Sequence, residues 1–418
     1  MPARLKLTSA LTILALLTAG YILSFFHRVC PSVLAMDLMK DFSLDAASFS
    51  LISSATMLGY AITQIPSGLL ADIMGGRRTL ALYQTLAGVF CILFALCDGL
   101  VPAVTCRFLL GLTLASNVPS YKILAGIVPA RDYAKYCSAL TGSGALGTLL
   151  AASPLVAVSG AVGWRAALIA AGIFTLLIGC AIFLLLEDGG KNNGSGPVPS
   201  MRENLRALKE GLKITLKMKN FWFIFAWFMF MVGNMFVLFT SWWGPYLMDA
   251  NGLSREAAGI SISVSSLVPL FFLVLTTWLS DNVLHSRRVF LMSAALLESL
   301  ALASICLSRG TAFSFAELTV LGTLINACTT SMGPLAFTMI KESVPSSALA
   351  SASGFMNCSA PVLAALVQGL FGALLNWRAA GGALPLTSYA DAFLLLLTGS
   401  MLAFIASLVM KDTFGGKA

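Results

Sequence analysis

The sequence predicts an all-α membrane protein with twelve transmembrane helices, arranged as two six-helix bundles that are related by a pseudo-two-fold repeat. Hydrophobic residues make up 58% of the 418 residues and charged residues only 11%, whereas soluble proteins carry about a quarter charged residues. Apolar runs of roughly 20 residues recur along the whole chain, and each is long enough to cross a bilayer as a helix. Because lipid cannot hydrogen-bond to exposed backbone groups, each run must be helical.

The apolar runs divide the chain into two bundles joined by a polar segment. We predict an N-terminal bundle over 1–186, a cytoplasmic linker over 187–219 and a C-terminal bundle over 220–418. The predicted spans are 8–36, 47–72, 78–97, 101–126, 134–159, 163–186, 220–248, 256–280, 288–307, 313–340, 348–376 and 388–410.

Two short motifs occur once in each half, roughly half a chain length apart. Residues 68–78 read Gly-Leu-Leu-Ala-Asp-Ile-Met-Gly-Gly-Arg-Arg, and residues 277–288 read Thr-Trp-Leu-Ser-Asp-Asn-Val-Leu-His-Ser-Arg-Arg. The tetrapeptide Trp-Arg-Ala-Ala begins at both Trp164 and Trp377. Duplicated bundles of this kind place a substrate site between the halves, near the bilayer midplane. The repeat therefore predicts a transporter.

The linker contains one helical pattern. Residues 187–199 are rich in Gly, Asn and Pro, which indicates flexible chain, and Ser200 and Glu203 have the spacing of a capping box. Leucines then share one helical face with basic residues beside them: Leu205, Leu208, Leu212, Leu216, Arg202, Arg206, Lys209, Lys213 and Lys217. We predict a basic amphipathic helix on the anionic inner membrane surface. A regulatory target helix would have the same pattern.

The net charge of +8 reflects membrane topology and not nucleic-acid binding. Lys and Arg concentrate in the loops that share a side with the termini, and the remaining loops hold Lys40, Arg165, Arg255, Arg309 and Arg378. This positive-inside pattern predicts a multi-pass protein of the bacterial inner membrane with both termini in the cytoplasm.

The sequence lacks the residue patterns of an enzyme or a metalloprotein. Its nine cysteines are scattered singly, it has two histidines, and no GxxxxGK[ST] motif occurs. Catalysis inside a membrane needs clustered groups such as paired carboxylates or metal ligands. We therefore expect no enzymatic activity, no metal and no cofactor. A sensor would carry an appended soluble domain, and no segment is long enough for one.

The loop motif Asp-x-x-Gly-x-Arg-Arg at 72–78 resembles that of the major facilitator superfamily. The sequence Arg-Phe-Leu-Leu-Gly at 107–111 and the second loop copy at Asp281 support this resemblance, which covers the whole chain. It implies alternating access by a monomer. Two departures stand out: Ile73 replaces a usual basic residue, and the second copy has one extra residue before its arginines.

The two loop motifs predict gates. An acidic residue at a helix end can pair with a facing cation or a helix N-terminus and hold one side of a transporter closed. We predict this role for Asp72, Arg77, Arg78, Asp281 and Arg287. The alternative is that the arginines only anchor the topology.

Charged residues inside spans are costly, so each is a functional hypothesis. Arg28 and Arg107 fall at similar depths in the first and fourth spans, which line the cavity in the superfamily. The stretch from Tyr21 to His27 and Arg28 resembles the first helix of organophosphate antiporters and anion:cation symporters, where an arginine serves anionic substrates. We predict that these four residues bind substrate, because guanidinium forks suit carboxylate, sulfonate or phosphate oxygens. Helix packing is the alternative.

A coupling residue is harder to identify. Leu114 stands two turns after Arg107, where anion:cation symporters commonly carry a glutamate associated with proton coupling. His27 titrates near neutrality, so we predict it as the coupling residue, with a proton or sodium as the ion. Lys122 is predicted to extend to the membrane interface. Glu298 belongs to a helix that the resemblance makes peripheral, and we assign it no role.

Uncharged polar groups complete the predicted site. The candidate substrate contacts of this type are Asn117, Asn234, Asn326 and Asn357. Trp242, Trp243 and Tyr246 are predicted to form an interfacial belt at the outer surface.

Together these features predict a secondary transporter that takes up a small organic anion, either a carboxylate, a sulfonate or a phosphate ester. The competing hypothesis is a multidrug or metabolite exporter of the same fold. The Gly-Pro-x-x-Gly-Gly motif of drug antiporters is absent, since Ala-Ser-Pro-Leu-Val-Ala stands there at 152–157. A positive cavity also disfavours organic cations. The expected partners are the anion, a coupling ion and the lipid bilayer, without nucleic acid.

Overall fold

The computed structural model describes residues 10–129, 132–186, 201–308, 311–379 and 386–416. All regular secondary structure in these ranges is helical, and eleven helices are long and apolar enough to cross a membrane. A shorter apolar helix, Leu100–Gly111, begins the remaining span. The prediction of an all-α protein with twelve membrane helices is confirmed.

Spans 1 to 6 form the N-terminal bundle, with the short helix Ala35–Asp41 after span 1. Spans 4 and 5 are interrupted, whereas the other four are continuous. The bounds are Ala10–Val33 for span 1, Ala46–Met74 for span 2, Gly76–Ala95 for span 3, Leu100–Gly111 and Asn117–Ile127 for span 4, Tyr133–Gly142, Gly144–Ala151 and Ser153–Val162 for span 5, and Trp164–Leu185 for span 6.

Spans 7 to 12 form the C-terminal bundle, in which spans 7 and 10 are irregular. The α-helix of span 7 gives way to two π-helical stretches, and span 10 breaks near its middle. The bounds are Lys219–Val237, Leu238–Trp242, Trp243–Pro245 and Tyr246–Ala250 for span 7, Arg255–Asn282 for span 8, Arg288–Leu307 for span 9, Phe315–Thr330 and Gly333–Ser343 for span 10, Ser346–Ala379 for span 11, and Leu386–Val409 for span 12.

A linker helix, Met201–Leu216, connects the bundles and packs against span 11. The contact is close, because a Cβ added at Gly211 would lie 2.4 Å from the hydroxyl of Ser351. The predicted flexible segment 187–199 and the predicted cap Ser200 lie outside the described residues. The position of this helix relative to the membrane stays a prediction.

The repeat extends to helix capping. Asp45 caps span 2 by accepting a hydrogen bond from the backbone N–H of Ser48 at 2.8 Å. Ser254 caps span 8, the second span of the other half, by accepting from the N–H of Ala257 at 3.2 Å. Side-chain caps of this kind satisfy N–H groups that lack a partner within the helix. The two halves therefore begin their second spans in the same way.

The bundles meet on the side of the molecule away from the termini. Because twelve spans place both termini on one side, we name that side the terminal face and the other the opposite face. Near the opposite face, Arg255 of span 8 pairs with Asp37 and donates to the hydroxyl of Ser159 at 3.0 Å. The backbone N–H of Gly244 in span 7 donates to the hydroxyl of Ser32 at 3.0 Å.

Asn376 at the end of span 11 holds the first turn of span 2. Its Oδ1 accepts from the N–H of Ala46 at 3.0 Å, and its Nδ2 donates to the carboxylate of Asp45. Hydrogen bonds from Ser48, with a smaller contribution from Asn376, hold the pKa of Asp45 below its usual range. Asp45 is therefore ionised at neutral pH, and the opposite face is closed by contacts between the halves.

Spans 2 and 4 cross at two glycines, and this crossing should be sensitive to a single methyl group. A Cβ on Gly111 would lie 2.3 Å from the carbonyl oxygen of Thr56, and one on Gly59 would lie 2.4 Å from that of Phe108. We expect Gly111→Ala to destabilise the protein by about 1–3 kcal/mol, because overpacking forces the helices apart. The measurement is the melting temperature of purified protein in detergent.

Gly160 in span 5 provides the matched control. An added Cβ there meets no atom within 4 Å, so Gly160→Ala should melt at the wild-type temperature or slightly above it. Equal melting of the two variants would contradict the close crossing.

Candidate functional site

Arg28 of span 1 lies in the interior, where the bundles meet. Its Nη2 donates to the carbonyl oxygen of Leu114 at 2.8 Å. The guanidinium carbon is 3.9 Å from the ring centroid of Tyr60 and 4.6 Å from that of Phe25. Arg28 is 3% exposed, and its Nε has no protein partner among the described residues. Stacking on the rings holds the planar cation in one orientation.

Neither Arg28 nor Arg107, the two arginines away from the ends of the predicted spans, forms an ion pair with a carboxylate of the described residues. Ion pairs elsewhere in the described residues lie near the two faces or on the linker helix, among them Lys122 with Asp72, Arg165 with Asp41 and Asp98, Arg206 with Glu210, Arg255 with Asp37, Arg287 with Asp281 and Glu342, and Arg378 with Asp391. The interior of the N-terminal bundle therefore carries an uncompensated positive field, which attracts anions.

Tyr60 connects Arg28 to the C-terminal bundle. Its ring meets the ring of Phe236 in span 7 edge to face, with centroids 6.4 Å apart. One turn further along span 2, Gln64 accepts a hydrogen bond from the Nδ2 of Asn357 in span 11 at 2.7 Å, and its own Nε2 has no protein partner among the described residues. We name Arg28, Tyr60, Gln64, Phe236 and Asn357 the seam site.

Arg107 has a different environment. Its Nε donates to the hydroxyl of Thr56 at 3.0 Å, and its Nη2 donates to the carbonyl oxygen of His27 at 2.9 Å. The guanidinium also lies 5.4 Å from the ring centroid of Phe94. These contacts join spans 1, 2, 3 and 4, so the structure favours the packing alternative for Arg107 and does not place it in the seam site.

His27 faces span 6. Its Nε2 lies 2.9 Å from the hydroxyl of Thr175, and the residue is fully buried. The adjacent residue, Arg28, points toward spans 2 and 4 because successive side chains of a helix differ by about 100° in direction. The structure therefore does not bring the predicted coupling histidine into the seam site.

Tyr21 lies near Arg28, and Asn117 follows three residues after Leu114, whose carbonyl oxygen accepts from Arg28. The ring of Phe25 contacts both the Arg28 guanidinium and the ring of Tyr21, whose centroid is 5.2 Å away. Asn117 begins the second segment of span 4, and its Oδ1 is buried without a protein partner among the described residues. These two predicted residues can extend the seam site toward the terminal face.

Asn234 and Asn326 form hydrogen bonds within the C-terminal bundle. The Nδ2 of Asn234 donates to Glu298 at 3.1 Å and to the carbonyl oxygen of Leu396 at 2.9 Å. The Nδ2 of Asn326 donates to the carbonyl oxygen of Ser265 at 2.8 Å. Of the three asparagines predicted in this half, the structure brings only Asn357 to the seam site.

The predicted aromatic belt is wrong. Trp242 and Trp243 are fully buried, and Tyr246 is 2% exposed. The ring of Trp242 stacks on Phe371 of span 11 at 5.1 Å and meets Phe49 of span 2 edge to face at 5.6 Å. The reason is tertiary: the end of span 7 lies against span 1 of the other bundle, so Trp242 packs between the halves and helps to close the opposite face. Trp243 and Tyr246 pack within the C-terminal bundle, against Phe239, Tyr389 and Phe393.

The first predicted gate contains a pair within the N-terminal bundle. Asp72 at the end of span 2 accepts from the Nζ of Lys122 in span 4 at 2.6 Å. Lys122 also donates to the carbonyl oxygen of Ala71, which holds its ammonium at the end of span 2; its predicted extension to the interface stays a prediction. Arg77 donates to the carbonyl oxygen of Leu186 at 2.7 Å.

The second predicted gate is a matching network in the C-terminal bundle. Arg287 pairs with Asp281 and lies 3.4 Å from a carboxylate oxygen of Glu342 in span 10. Asp412 accepts a hydrogen bond from the hydroxyl of Ser286. Burial raises the pKa of Asp412, but the hydrogen bonds from Ser286 and from backbone N–H groups together outweigh burial and hold this pKa below its usual range. Each of the two networks lies within a single bundle, the first in the N-terminal and the second in the C-terminal one. Their gating role, including that of the exposed Arg78, stays a prediction.

The sequence alone did not single out Tyr60, Gln64 and Phe236 of the seam site, and it gave Glu298 no role. Tyr60 and Gln64 are four residues apart, which places them on one face of span 2. That spacing was a usable signal. Glu298 is a carboxylate near the middle of an apolar run, which by itself marks a functional hypothesis.

The chain is similar to known proteins both in sequence and in fold. A family model described as Major Facilitator Superfamily matches residues 16–246. A hexuronate transporter of Bacillus subtilis (strain 168) is 23% identical over 411 residues, which cover 96% of this chain and 93% of that protein. A gallate transporter of Pseudomonas putida is 22% identical over 314 residues, or 68% of each chain. The crystal structure of a D-xylose–proton symporter matches with a TM-score of 0.76 at 16% identity, over 97% of this chain and 99% of that one.

Proposed function

This chain belongs to the major facilitator superfamily, and on that premise we propose that it moves a small organic anion across the membrane by alternating access. The family and the relatives are transporters, so the chain is a membrane transporter and not an enzyme. The chemical class of the substrate, the direction and the coupling ion are the parts that we propose.

The environment of Arg28 supports an anionic substrate. The cation lies where the halves meet, is held against Tyr60, and has no carboxylate partner among the described residues. An unpaired guanidinium in a membrane interior is costly, and an anion that binds there removes this cost. The forked N–H donors of the Arg28 guanidinium suit a carboxylate, a sulfonate or a phosphate ester. The names hexuronate and gallate denote carboxylates, so we place carboxylates first.

The remaining features of the proposal complete a transport cycle. The closed opposite face and the seam site are consistent with a state that opens toward the terminal face. We propose uptake into the cytoplasm by a monomer of the bacterial inner membrane, with both termini cytoplasmic and a proton or sodium as the coupling ion. The rocking units are the bundles 1–186 and 220–418, joined by 187–219.

A thermal-shift screen of the purified protein tests the substrate class. The compounds are small carboxylates, sulfonates, phosphate esters and several lipophilic cations. A ligand that binds only the folded state stabilises it by about 2.7 kcal/mol at a hundredfold excess over its Kd. We expect one class of anion to raise the melting temperature. Stabilisation by the cations alone would contradict the proposal and favour an exporter.

A further inference from the structure

Glu298 is a buried carboxyl that the proposed substrate site does not use. It lies ten residues after Arg288, the first residue of span 9, which places it about 15 Å into the span. It is 0% exposed. Its Oε1 accepts from the Nδ2 of Asn234 in span 7 at 3.1 Å, and its Oε2 accepts from the hydroxyl of Thr329 in span 10 at 3.2 Å.

No described cation compensates a charge on Glu298. Spans 7, 10 and 12 pack against span 9, and the titratable group that faces Glu298 from them is the thiol of Cys328. The other titratable or charged residues of these four spans lie toward their ends: Lys219, Tyr246, Asp249, Arg288, Cys306, Glu317, Lys341, Glu342, Tyr389 and Asp391. A carboxylate in such surroundings is costly, and binding a proton removes that cost.

Thr329 can respond to this proton. Its hydroxyl oxygen lies 3.2 Å from Glu298 and 3.4 Å from the carbonyl oxygen of Met231 in span 7. A hydroxyl has one hydrogen to donate. When Glu298 is ionised, Thr329 donates to it. When Glu298 is protonated, the acid donates to Thr329, whose own hydrogen is then free for the carbonyl oxygen of Met231 or for that of Ile325 in span 10, each 3.4 Å away. Binding a proton therefore releases Thr329 from span 9 and makes a hydrogen bond from span 10 to span 7 available.

The two partners of Glu298 belong to the two irregular spans of this bundle. The first segment of span 10 ends at Thr330, directly after Thr329, and span 7 leaves α-helical geometry at Leu238. Such departures recur at functional sites. Asn234 is also two residues before Phe236, which contacts Tyr60 of the seam site. The carboxyl and the seam site are thus on two sides of one irregular helix.

We propose that the Glu298 carboxyl, held between Asn234 and Thr329, is a proton-binding site whose occupancy shifts the alternating-access equilibrium. This inference rests on the transporter function proposed above and assigns the coupling ion as a proton. The site lies in the C-terminal bundle and replaces His27 as the coupling group. A bound proton shifts the equilibrium because its affinity differs between the two conformations.

The test follows the distance between the halves without any substrate. Asp98 and Ala312 are exposed in loops of the opposite face, one in each half. Nitroxide labels are attached at Asp98→Cys and Ala312→Cys, with the partly exposed native cysteines replaced. Double electron–electron resonance in nanodiscs then measures the distance between the labels, which increases when that face opens. We expect the ratio of open to closed populations to change several-fold between mildly acidic and mildly alkaline buffer, and Glu298→Gln to abolish the change.

Glu317→Gln is the matched control, since Glu317 is an exposed glutamate at the start of span 10 and glutamine preserves its capping role. It should keep the wild-type pH response. Infrared difference spectra across the same pH change give a second measurement, with a carboxyl band that Glu298→Gln removes. An unresponsive wild type, or a response or band that survives in Glu298→Gln, overturns the inference. Failure of the anion screen with an intact pH response would instead contradict the proposed substrate class alone.

Discussion

Arg28→Gln should strongly weaken binding of the stabilising anion while leaving a folded, monodisperse protein. Glutamine removes the positive charge and cannot stack on Tyr60 while donating to Leu114 as the guanidinium does. A charge-assisted hydrogen bond contributes up to about 3 kcal/mol, and each 1.4 kcal/mol is a factor of about ten in Kd. We therefore expect affinity to fall by about a hundredfold, measured as the loss of the ligand-induced rise in melting temperature.

Two further variants make this result specific. Arg28→Lys keeps the charge but loses the planar fork, so its affinity should lie between those of the wild type and Arg28→Gln. Arg206→Gln changes a linker-helix arginine whose side chain is 81% exposed, and its affinity should equal that of the wild type. Unchanged affinity in a folded Arg28→Gln protein would remove Arg28 from the substrate site.

Gly372→Ala should stop transport by preventing closure of the opposite face. A Cβ on Gly372 would lie 2.6 Å from the backbone carbonyl oxygen of Ala46, across the seam between spans 11 and 2, and would also overlap the hydroxyl of Ser50. Overpacking costs about 1–3 kcal/mol, and here the cost falls on the closed state alone. We expect the closed population and the transport rate to fall by about tenfold or more, while anion binding from the opposite face is kept.

Gly369 lies one turn earlier in span 11 and allows a matched comparison. A Cβ there would have the hydroxyl of Ser54 as its nearest neighbour, at an ordinary 3.8 Å, so Gly369→Ala should close and transport like the wild type. The label pair on the opposite face and uptake into vesicles report the two quantities. A Gly372→Ala protein with wild-type distances would show that the tight seam does not control closure.

The number and the type of the helices could be predicted from local chemistry. Each apolar run must satisfy its own backbone within the bilayer, so its length alone determines a span. The repeated loop motifs at Asp72 and Asp281 placed the two halves in register. The positions of the breaks in spans 4, 5 and 10 and the π-helical stretches of span 7 were not predicted. In spans 5 and 10 the second segment has a proline at its second position, Pro154 and Pro334, and proline has no N–H with which to continue the preceding helix. Within span 7, Gly244 closely approaches Ser32 of the other half.

The candidate site was only partly predictable. Arg28 and Arg107 look alike in the sequence, since both are guanidinium groups within apolar runs. In the structure Arg107 donates to Thr56 and to the backbone at His27, whereas Arg28 stacks on Tyr60 at the seam. The direction of each side chain depends on helix rotation, which the sequence pattern of a nearly uniform apolar helix does not determine.

By itself the sequence determined the twelve spans, the duplicated bundles and the position of charge within them, because the costs of bare backbone and buried charge act on each segment separately. The tertiary structure alone decided which polar groups face each other. It buried Trp242, turned His27 toward span 6, placed Gln64 against Asn357 and joined Glu298 to Asn234 and Thr329. The physical reason is that these contacts depend on how helices far apart in the chain rotate and cross, and that geometry is set by packing among all twelve.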